Sequence, residues 1–559
     1  MTSEAAAAPA AVEAIAASLR RSRDLLLSVR TAYVLGALVA VQGAALLVFA
    51  LIVRHNGWLY YAGGDQLWHY SGAYLMAHGH LPPSFVGYGW SILLLPVALV
   101  AGPNIVSALP AIVLVNTVVL LPLGLLCVYG IAARIAGRLF GYWAAVLWIA
   151  LPYLGVLFVE PGYHQKYTEL TLPQLLGLSS VPDFPSTVAL LVAAYFCLRA
   201  VDSPAWHPAA AAGLAVGYAI AIKPSNSIFL FAPVLLFAFA ARRALLPFAL
   251  ALAPALLTLV LWKYRGLGEL AAAPAEPMPL AGGVGDLGHR IFSPDLNSWD
   301  HLHQVLLGLR EHFWAARLIE WLPLAGIVAL ALRSRRAFLL VATWFTAYLL
   351  TKGTYVPASI EDASFFRILM PAFPAYLILA AAIVLLVPGM RARPGPDRAL
   401  DTGWRLTAAV AAAAVVFAAA PLAVVAAVPP LQDDGRQAVS QPTVLIPVNP
   451  AIAPRAEVAG HTVRLSWHAT APRPAAVFYR ILRGGGPTGG FACAGTPSGA
   501  ADQCRIYMDA AGAARSPSFV DRPGPGRWTY RIGVSANWLN DFGYGDVTVV
   551  SRPVTVTVR

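Results

Sequence analysis

The chain has 559 residues, of which 58% are hydrophobic and 12% charged, with a mean hydropathy of +0.66. A water-soluble domain is about half apolar and about a quarter charged, so an ordinary soluble globular protein is excluded. The net charge of +12 is not gathered on one soluble face, as nucleic-acid binding requires; the arginines fall mostly in short gaps between apolar runs, so no nucleic-acid partner is expected.

Apolar runs of roughly 18 to 25 residues suffice to cross about 30 Å of hydrocarbon as helix. Read against Lys and Arg placement, they predict a polytopic α-helical membrane protein with about 11 transmembrane helices over 31–428. The amino-terminal arm, 1–30, ends in Arg20, Arg21, Arg23 and Arg30. A span-length run, 31–53, follows it in place of a cleavable signal, which puts the arm in the cytoplasm. An external loop, 54–108, comes next; within it 91–102 is apolar but too short to span and reads as an interfacial or re-entrant helix. Spans are then expected at 109–132 and 142–158, before a second external loop at 159–185. Four more, at 186–198, 209–222, 228–240 and 245–262, lead to a third external loop at 263–315. Spans at 318–332 and 338–350 precede external residues 351–366, and the last two occupy 366–387 and 406–428. Arg134, Arg138, Arg199, Arg242, Arg243, Arg333, Arg335, Arg336, Arg391, Arg393 and Arg398 all fall on the side of the arm, as the positive-inside rule requires. The expected location is a multi-pass inner (plasma) membrane protein among membrane lipids, with its carboxyl-terminal domain extracytoplasmic.

That tail changes character. Residues 429–454 form a Pro-rich linker. Over 455–559, runs of alternating apolar residues (463–467, 477–482, 528–534 and 547–558) are separated by Gly/Pro clusters, the pattern of a small C-terminal β-sandwich. Trp467 and the Gly526-x-Trp528-x-Tyr530-x-Ile532 pattern resemble fibronectin type III domains. Cys493 and Cys504 flank a short Gly/Ser/Ala segment without metal-ligand spacing, so a disulfide in an oxidising compartment is expected, in agreement with an external tail. Cys127 and Cys197 lie inside apolar runs and read as packing residues.

With sidedness assigned, the external ionisable residues are the ones that topology does not explain. Ionisable groups at membrane depth are costly and mark function. Asp65 follows Gly63 and Gly64, which let backbone approach a ligand; it reads as a helix N-cap or as a site acid. Asp183 opens a span, again as cap or as second acid. Glu160 and Glu169 read as solvated loop charges. Lys223, in Lys223-Pro224-Ser225-Asn226, is a snorkelling lysine or a point charge for phosphate. Arg367 begins a span among aromatics and suits a phosphate through its fork of donors; Lys352 has the same ambiguity. The pairs His78-Gly79-His80 and His301-Leu302-His303 can chelate on a strand but not on one helical face. No third ligand lies at a recognisable interval, so no metal site is assigned; a divalent metal stays open as an alternative, and no cofactor is required.

This layout resembles the GT-C superfamily of membrane glycosyltransferases, which use polyprenyl-phosphate-linked sugars. The matching features are Gly64-Asp65 in the first external loop, Asp183-Phe184-Pro185 before the fourth span, Lys223-Pro224 after the fifth, and the Arg367…Pro371…Pro374 entry to a late span. The resemblance covers about residues 31–390 and is nearest in style to protein O-mannosyltransferases and the aminoarabinose transferases of lipid A. From the former it departs in having Gly64-Asp65-Gln66 where they carry an Asp-Glu pair. The resemblance implies a hexosyl- or pentosyltransferase working by inverting displacement, with Asp65 as general base and Asp183 as second catalytic acid. It further implies Lys223, Arg367 and Lys352 on the donor phosphate. Trp68, His69, Tyr88 and His164 are the expected substrate contacts. The partners are then a polyprenyl-phosphate-linked sugar and an extracytoplasmic glycan, lipid or protein acceptor. A transporter or flippase of a lipid-linked or small solute is the alternative, and would need polar groups near the bilayer midplane and an internal repeat.

Overall fold

The computed structural model describes residues 17–18, 21, 23–52, 65–79, 81–82, 86–101, 105–267, 297–361, 364–387, 404–429, 445–447, 449–468, 478–485, 503–505, 509–514, 516–535 and 547–559. The amino-terminal half runs α1 (Thr31–Ile52), α2 (Asp65–Ala77), α3 (Tyr88–Leu93), α4 (Leu95–Ala101), α5 (Ala108–Ala136), α6 (Arg138–Phe158) and α7 (Pro161–Lys166). It continues with α8 (Asp183–Asp202), α9 (His207–Ile222), α10 (Pro224–Ala240) and α11 (Leu245–Leu267). After these come α12 (Trp299–His312), α13 (Ala316–Arg333), α14 (335–352), α15 (Ser364–Leu386) and α16 (Arg405–Ala427). Among the described residues, every stretch expected to span is helical over nearly its whole length. Among the described residues, seven helices are long and apolar enough to cross a membrane: α1, α5, α6, α8, α11, α15 and α16. The apolar helices α9 and α10 are shorter, and α13 and α14 carry charge at their ends.

The core explains why α9 can be short. Its residues are buried along almost its whole length, between α8 and α11. A Cβ on Gly213 would lie 2.2 Å from the Phe248 carbonyl oxygen, and one on Gly217 would lie 2.8 Å from Ala255 Cβ. Small residues four apart let two helix backbones approach this closely. The chain ahead of α5 departs in one respect from the single interfacial or re-entrant helix expected at 91–102. It breaks at Leu94 into α3 and α4, and Tyr88, Gly89, Trp90 and Ser91 of α3 are buried. Gly87 and Gly89 press the start of α3 against the backbone of Ala221 and Ile222, so this stretch belongs to the core.

The connections that follow α6, α12 and α14 are stitched to one another. The His312 ring bonds Glu361 Oε1 at 2.8 Å and stacks on Tyr163, whose hydroxyl donates to the Ile360 carbonyl. That hydrogen bond from His312 is the main reason the Glu361 carboxyl is held below its usual range.

In the tail, β2 (Arg455–Ala459), β3 (Thr462–Ser466) and β7 (Ser518–Asp521) form one antiparallel sheet. A second follows the order β10 (Val554–Val558), β8 (Gly526–Ser535), β4 (Phe478–Gly485), β6 (Asp509–Ala514), with β9 (Val547–Val550) also on β8. The alternation read from the sequence puts Val463 and Leu465 of one sheet, and Tyr479, Ile481, Tyr530, Ile532 and Val534 of the other, in one buried cluster. Cys504 lies in the short strand β5 (Gln503–Arg505), paired with β1 (Leu445–Pro447), whereas Cys493, and with it the expected disulfide, falls outside the described residues. Cys127 and Cys197 are buried free thiols.

Candidate active site

Four side chains from four separate segments form one ionic network. Asp65 and Asp183 are the first residues of α2 and α8. Lys223 follows the last residue of α9, where Pro224 ends the helix. Arg367 lies in the first turn of α15. Its Nε donates to Asp183 Oδ2 at 3.0 Å, and its Nη2 donates to Asp65 Oδ2. Lys223 Nζ donates to Asp183 Oδ1. The set holds two acids and two cations, all at helix ends.

Exposure grades across it. The Asp183 side chain is 0% exposed and Lys223 20%, while Arg367 and Asp65 reach 30% and 32%. Asp183 is therefore the buried anchor, and Asp65 the acid that a second molecule can reach. The cap reading of Asp183 does not hold: Pro182 is the N-cap residue, without a side-chain cap bond, and both Asp183 carboxylate oxygens go to the cations. An unpaired carboxylate buried at this depth would cost several kcal/mol, and the two cations answer that cost.

A second layer of bonds holds these groups in place. Gln66, beside Asp65, accepts the Ser180 N–H on its Oε1 at 3.0 Å, and Trp90 Nε1 donates to the Ser180 carbonyl at 2.9 Å. Asn116 Nδ2 donates to the carbonyls of Gly177 and Ser179 at 3.1 and 2.9 Å. The segment leading to Asp183 is thus tied both to α2 and to α5, where Asn116 opens a single π turn. On the other side, Asn226 Nδ2 closes the Ala219 carbonyl near the end of α9, and its Oδ1 accepts the Tyr348 hydroxyl at 2.8 Å. Tyr348 lies one helical turn before Lys352 on α14. Sequence reading missed the roles of Gln66, Asn116, Trp90 and Tyr348. Asn116 carried a signal, being an amide inside an otherwise apolar span; Tyr348 carried none.

The remaining expected contacts divide. His69 lies one turn along α2 from Asp65 and is 1% exposed. Burial, and after it the charges of Lys263 and Lys223, push its imidazole down to about 3, so at neutral pH it is uncharged. Lys352 Nζ lies over the Tyr355 ring, 4.6 Å from its centroid, and feels the charge of Lys223. Tyr88 is fully buried, its hydroxyl donating to the Ala255 carbonyl at 3.3 Å. His164 is exposed on α7. Among the described residues, neither Tyr88 nor His164 is bonded to the network. The side chain of Trp68 lies outside the described residues. Glu169, expected as a solvated charge, is instead buried and accepts a bond from Gln165 at 3.2 Å. Among the described residues, no group of three or more His, Cys, Asp or Glu side chains could hold a metal ion.

No protein-family profile and no curated protein sequence matches the chain. Solved structures do match. The crystal structure of the Archaeoglobus fulgidus oligosaccharyltransferase in the apo form is 14% identical with a TM-score of 0.39, covering 70% of this chain and 55% of that one. The archaeal oligosaccharyltransferase AglB from the same organism, in complex with an inhibitory peptide and a dolichol-phosphate, is 12% identical with a TM-score of 0.37, covering 70% and 55%. The A. fulgidus enzyme in complex with Zn and sulfate gives 14% and 0.35, covering 70% and 52%. The chain thus spans about half the length of the solved structures it matches. At these TM-scores the likeness carries nothing that follows, which rests on the side chains.

Proposed function

We propose that this chain is a GT-C-type membrane glycosyltransferase. It would move a hexosyl or pentosyl group, with inversion, from a polyprenyl-phosphate carrier to an extracytoplasmic glycan, lipid or protein. The observation that carries this reading is the convergence of Asp65, Asp183, Lys223 and Arg367 on one partly open site. Sequence position, sidedness and the GT-C resemblance had singled them out.

In this reading the acceptor hydroxyl oxygen attacks the anomeric carbon while the bond from that carbon to the phosphate oxygen breaks. The bonding pair leaves with the phosphate, and the hydroxyl proton passes to a carboxylate oxygen of Asp65. Lys223 and Arg367, with Lys352 beyond Lys223, meet the charge that grows on the leaving phosphate. Asp183 keeps both main cations aimed, and neutral His69 offers hydrogen bonds without adding charge. The network lies at the ends of α2, α8, α9 and α15 and not in mid-helix, which supports interfacial chemistry over a transport path. The topology that goes with this is eleven crossings, a cytoplasmic amino terminus and an external tail. The arrangement of β2-β3-β7 facing β6-β4-β8-β10 supports a fibronectin type III-like sandwich.

The test is sugar transfer by purified protein from a polyprenyl-phosphate-linked donor. Asp65→Asn keeps the shape and removes the base, and the expected loss is about 10²- to 10⁴-fold in kcat. Transfer at the wild-type rate in this variant would sink the assignment.

A further inference from the structure

We propose that Arg367 senses the donor. Resting on Asp65 it holds the base out of use, and the donor phosphate draws it away and releases the base. The inference rests on the glycosyltransferase reading above and adds an order of binding to it.

The geometry poses a conflict that the donor must resolve. Arg367 donates from Nη2 to Asp65 Oδ2 and from Nε to Asp183 Oδ2. A carboxylate oxygen that accepts a guanidinium N–H has its lone pair engaged and its basicity lowered by the adjacent positive charge. That oxygen is poorly placed to take a proton from an acceptor. The same guanidinium is wanted on the leaving phosphate. Both demands are met if the two contacts of Arg367 separate. The contact to Asp183 is fully buried on the carboxylate side and is backed by Lys223 on the other oxygen, so it is the fixed one. The contact to Asp65 is open to about a third on both sides, so it is the exchangeable one. Arginine pairs with phosphate as readily as with carboxylate, by the same fork of donors. An anionic phosphate arriving beside Lys223 therefore competes with Asp65 for Nη2, while Nε stays on Asp183. The released Asp65 carboxylate then faces the acceptor. Donor binds first and acceptor second, and before the donor arrives Asp65 Oδ2 is held by Arg367 and not turned to water or acceptor.

Competition of this kind has a thermodynamic signature that mere structural support lacks. Removing the competitor must tighten the ligand, because affinity falls by the fraction of protein whose binding state is occupied by the internal partner. Undecaprenyl phosphate is the probe, its affinity measured by native mass spectrometry on full-length protein in detergent. Asp65→Asn and Asp65→Ser are expected to bind it several-fold to about tenfold more tightly than wild type, and Arg367→Gln more weakly. A second measurement needs no variant: carbodiimide labelling of Asp65, read by peptide mass, is expected to rise when undecaprenyl phosphate is added to wild type. Equal or weaker binding in both Asp65 variants, or labelling that stays flat while the lipid is seen to bind, overturns the sensing role alone. Failure of wild type and variants to bind the lipid phosphate at all overturns the donor reading on which this inference stands.

Discussion

Among single residues, Asp183 and His69 carry the most testable burdens. Asp183 is a fully buried carboxylate with two cationic partners. Removing one member of a buried charge set costs about 3–5 kcal/mol, because the others are left buried and unanswered. Asp183→Ala is therefore expected to lower the thermal unfolding temperature of the detergent-solubilised protein as well as its activity. Asp65→Asn, at a site open to water, should cut activity with little effect on stability. Equal stability losses in the two variants would contradict the division between buried anchor and accessible acid. His69 makes a pH prediction. Its folded pKa of about 3 lies below the ordinary imidazole value of 6.5, so below the higher value the unfolded chain takes up a proton that the folded one refuses. Stability is unaffected above about pH 6.5 and falls as pH drops toward the folded value, by about 2 kcal/mol at pH 5. Thermal melts from pH 7.5 to 5 should show this loss, and His69→Gln should flatten it.

Elements decide whether those residues meet, and here the sequence was partly legible. Helix positions followed from hydropathy, and the segments bearing Asp65, Asp183, Lys223 and Arg367 were all singled out in advance. What bonds to what was not legible. Nothing in the spacing of Arg367 and Asp65, 302 residues apart, says that they touch. The same holds for Gln66 and the Ser180 N–H. The stretch around α3 was legible only in part: 91–102 has the length and polarity of an interfacial or re-entrant helix, whereas the burial of Tyr88 to Ser91 at its start depends on α9, far along the chain. The decisive feature is local, in Gly87-Tyr88-Gly89. A Cβ on Gly87 would lie 2.1 Å from the Ala221 carbonyl oxygen, with backbone of Ile222 next to it. Backbone cannot swing aside as a side chain does, so the end of α9 would have to move, and Lys223 is the next residue. Overpacking of this kind costs about 1–3 kcal/mol. Gly87→Ala is expected to destabilise the protein by about that amount and to weaken undecaprenyl phosphate binding through displaced Lys223. Wild-type affinity in a destabilised Gly87→Ala would separate α3 packing from the site.

Across the whole molecule, the tail is seated on the membrane-embedded part. On β8, Tyr530, Ile532 and Val534 point into the tail's own core, so Arg531 between them faces outward, yet it is only 3% exposed. Leu482, paired with Arg531 on β4, and Val550 on β9 are also buried, and both belong to the apolar cluster that contains Leu81, Tyr88 and Val425 of the helical part. Around Arg531, Leu482 and Val550 the outer face of the larger sheet is thus covered by the helical domain. Two further contacts hold the end of α16, from which the tail leaves. The Leu81 N–H donates to the Pro429 carbonyl at 2.7 Å, joining the loop after α2 to the chain leaving α16. Arg265 of α11 closes the carbonyls of Val425 and Ala426, the second at 2.7 Å, at the end of α16. Seating is therefore continuous with α2, the helix whose first residue is Asp65. A lysine placed at Leu482 would be buried against the like charge of Arg531, its cross-strand pair, at a cost of several kcal/mol unless the faces part. For Leu482→Lys in the full chain, hydrogen exchange is expected to speed up in β4, in the outer part of β8 and at the Leu81 amide, with transfer activity lowered together with them. β2 and β3 lie on the opposite sheet and should keep their protection. Exchange at Leu81 as slow as in wild type, with β4 already loosened, would show that the tail rests on the helical domain without supporting the site.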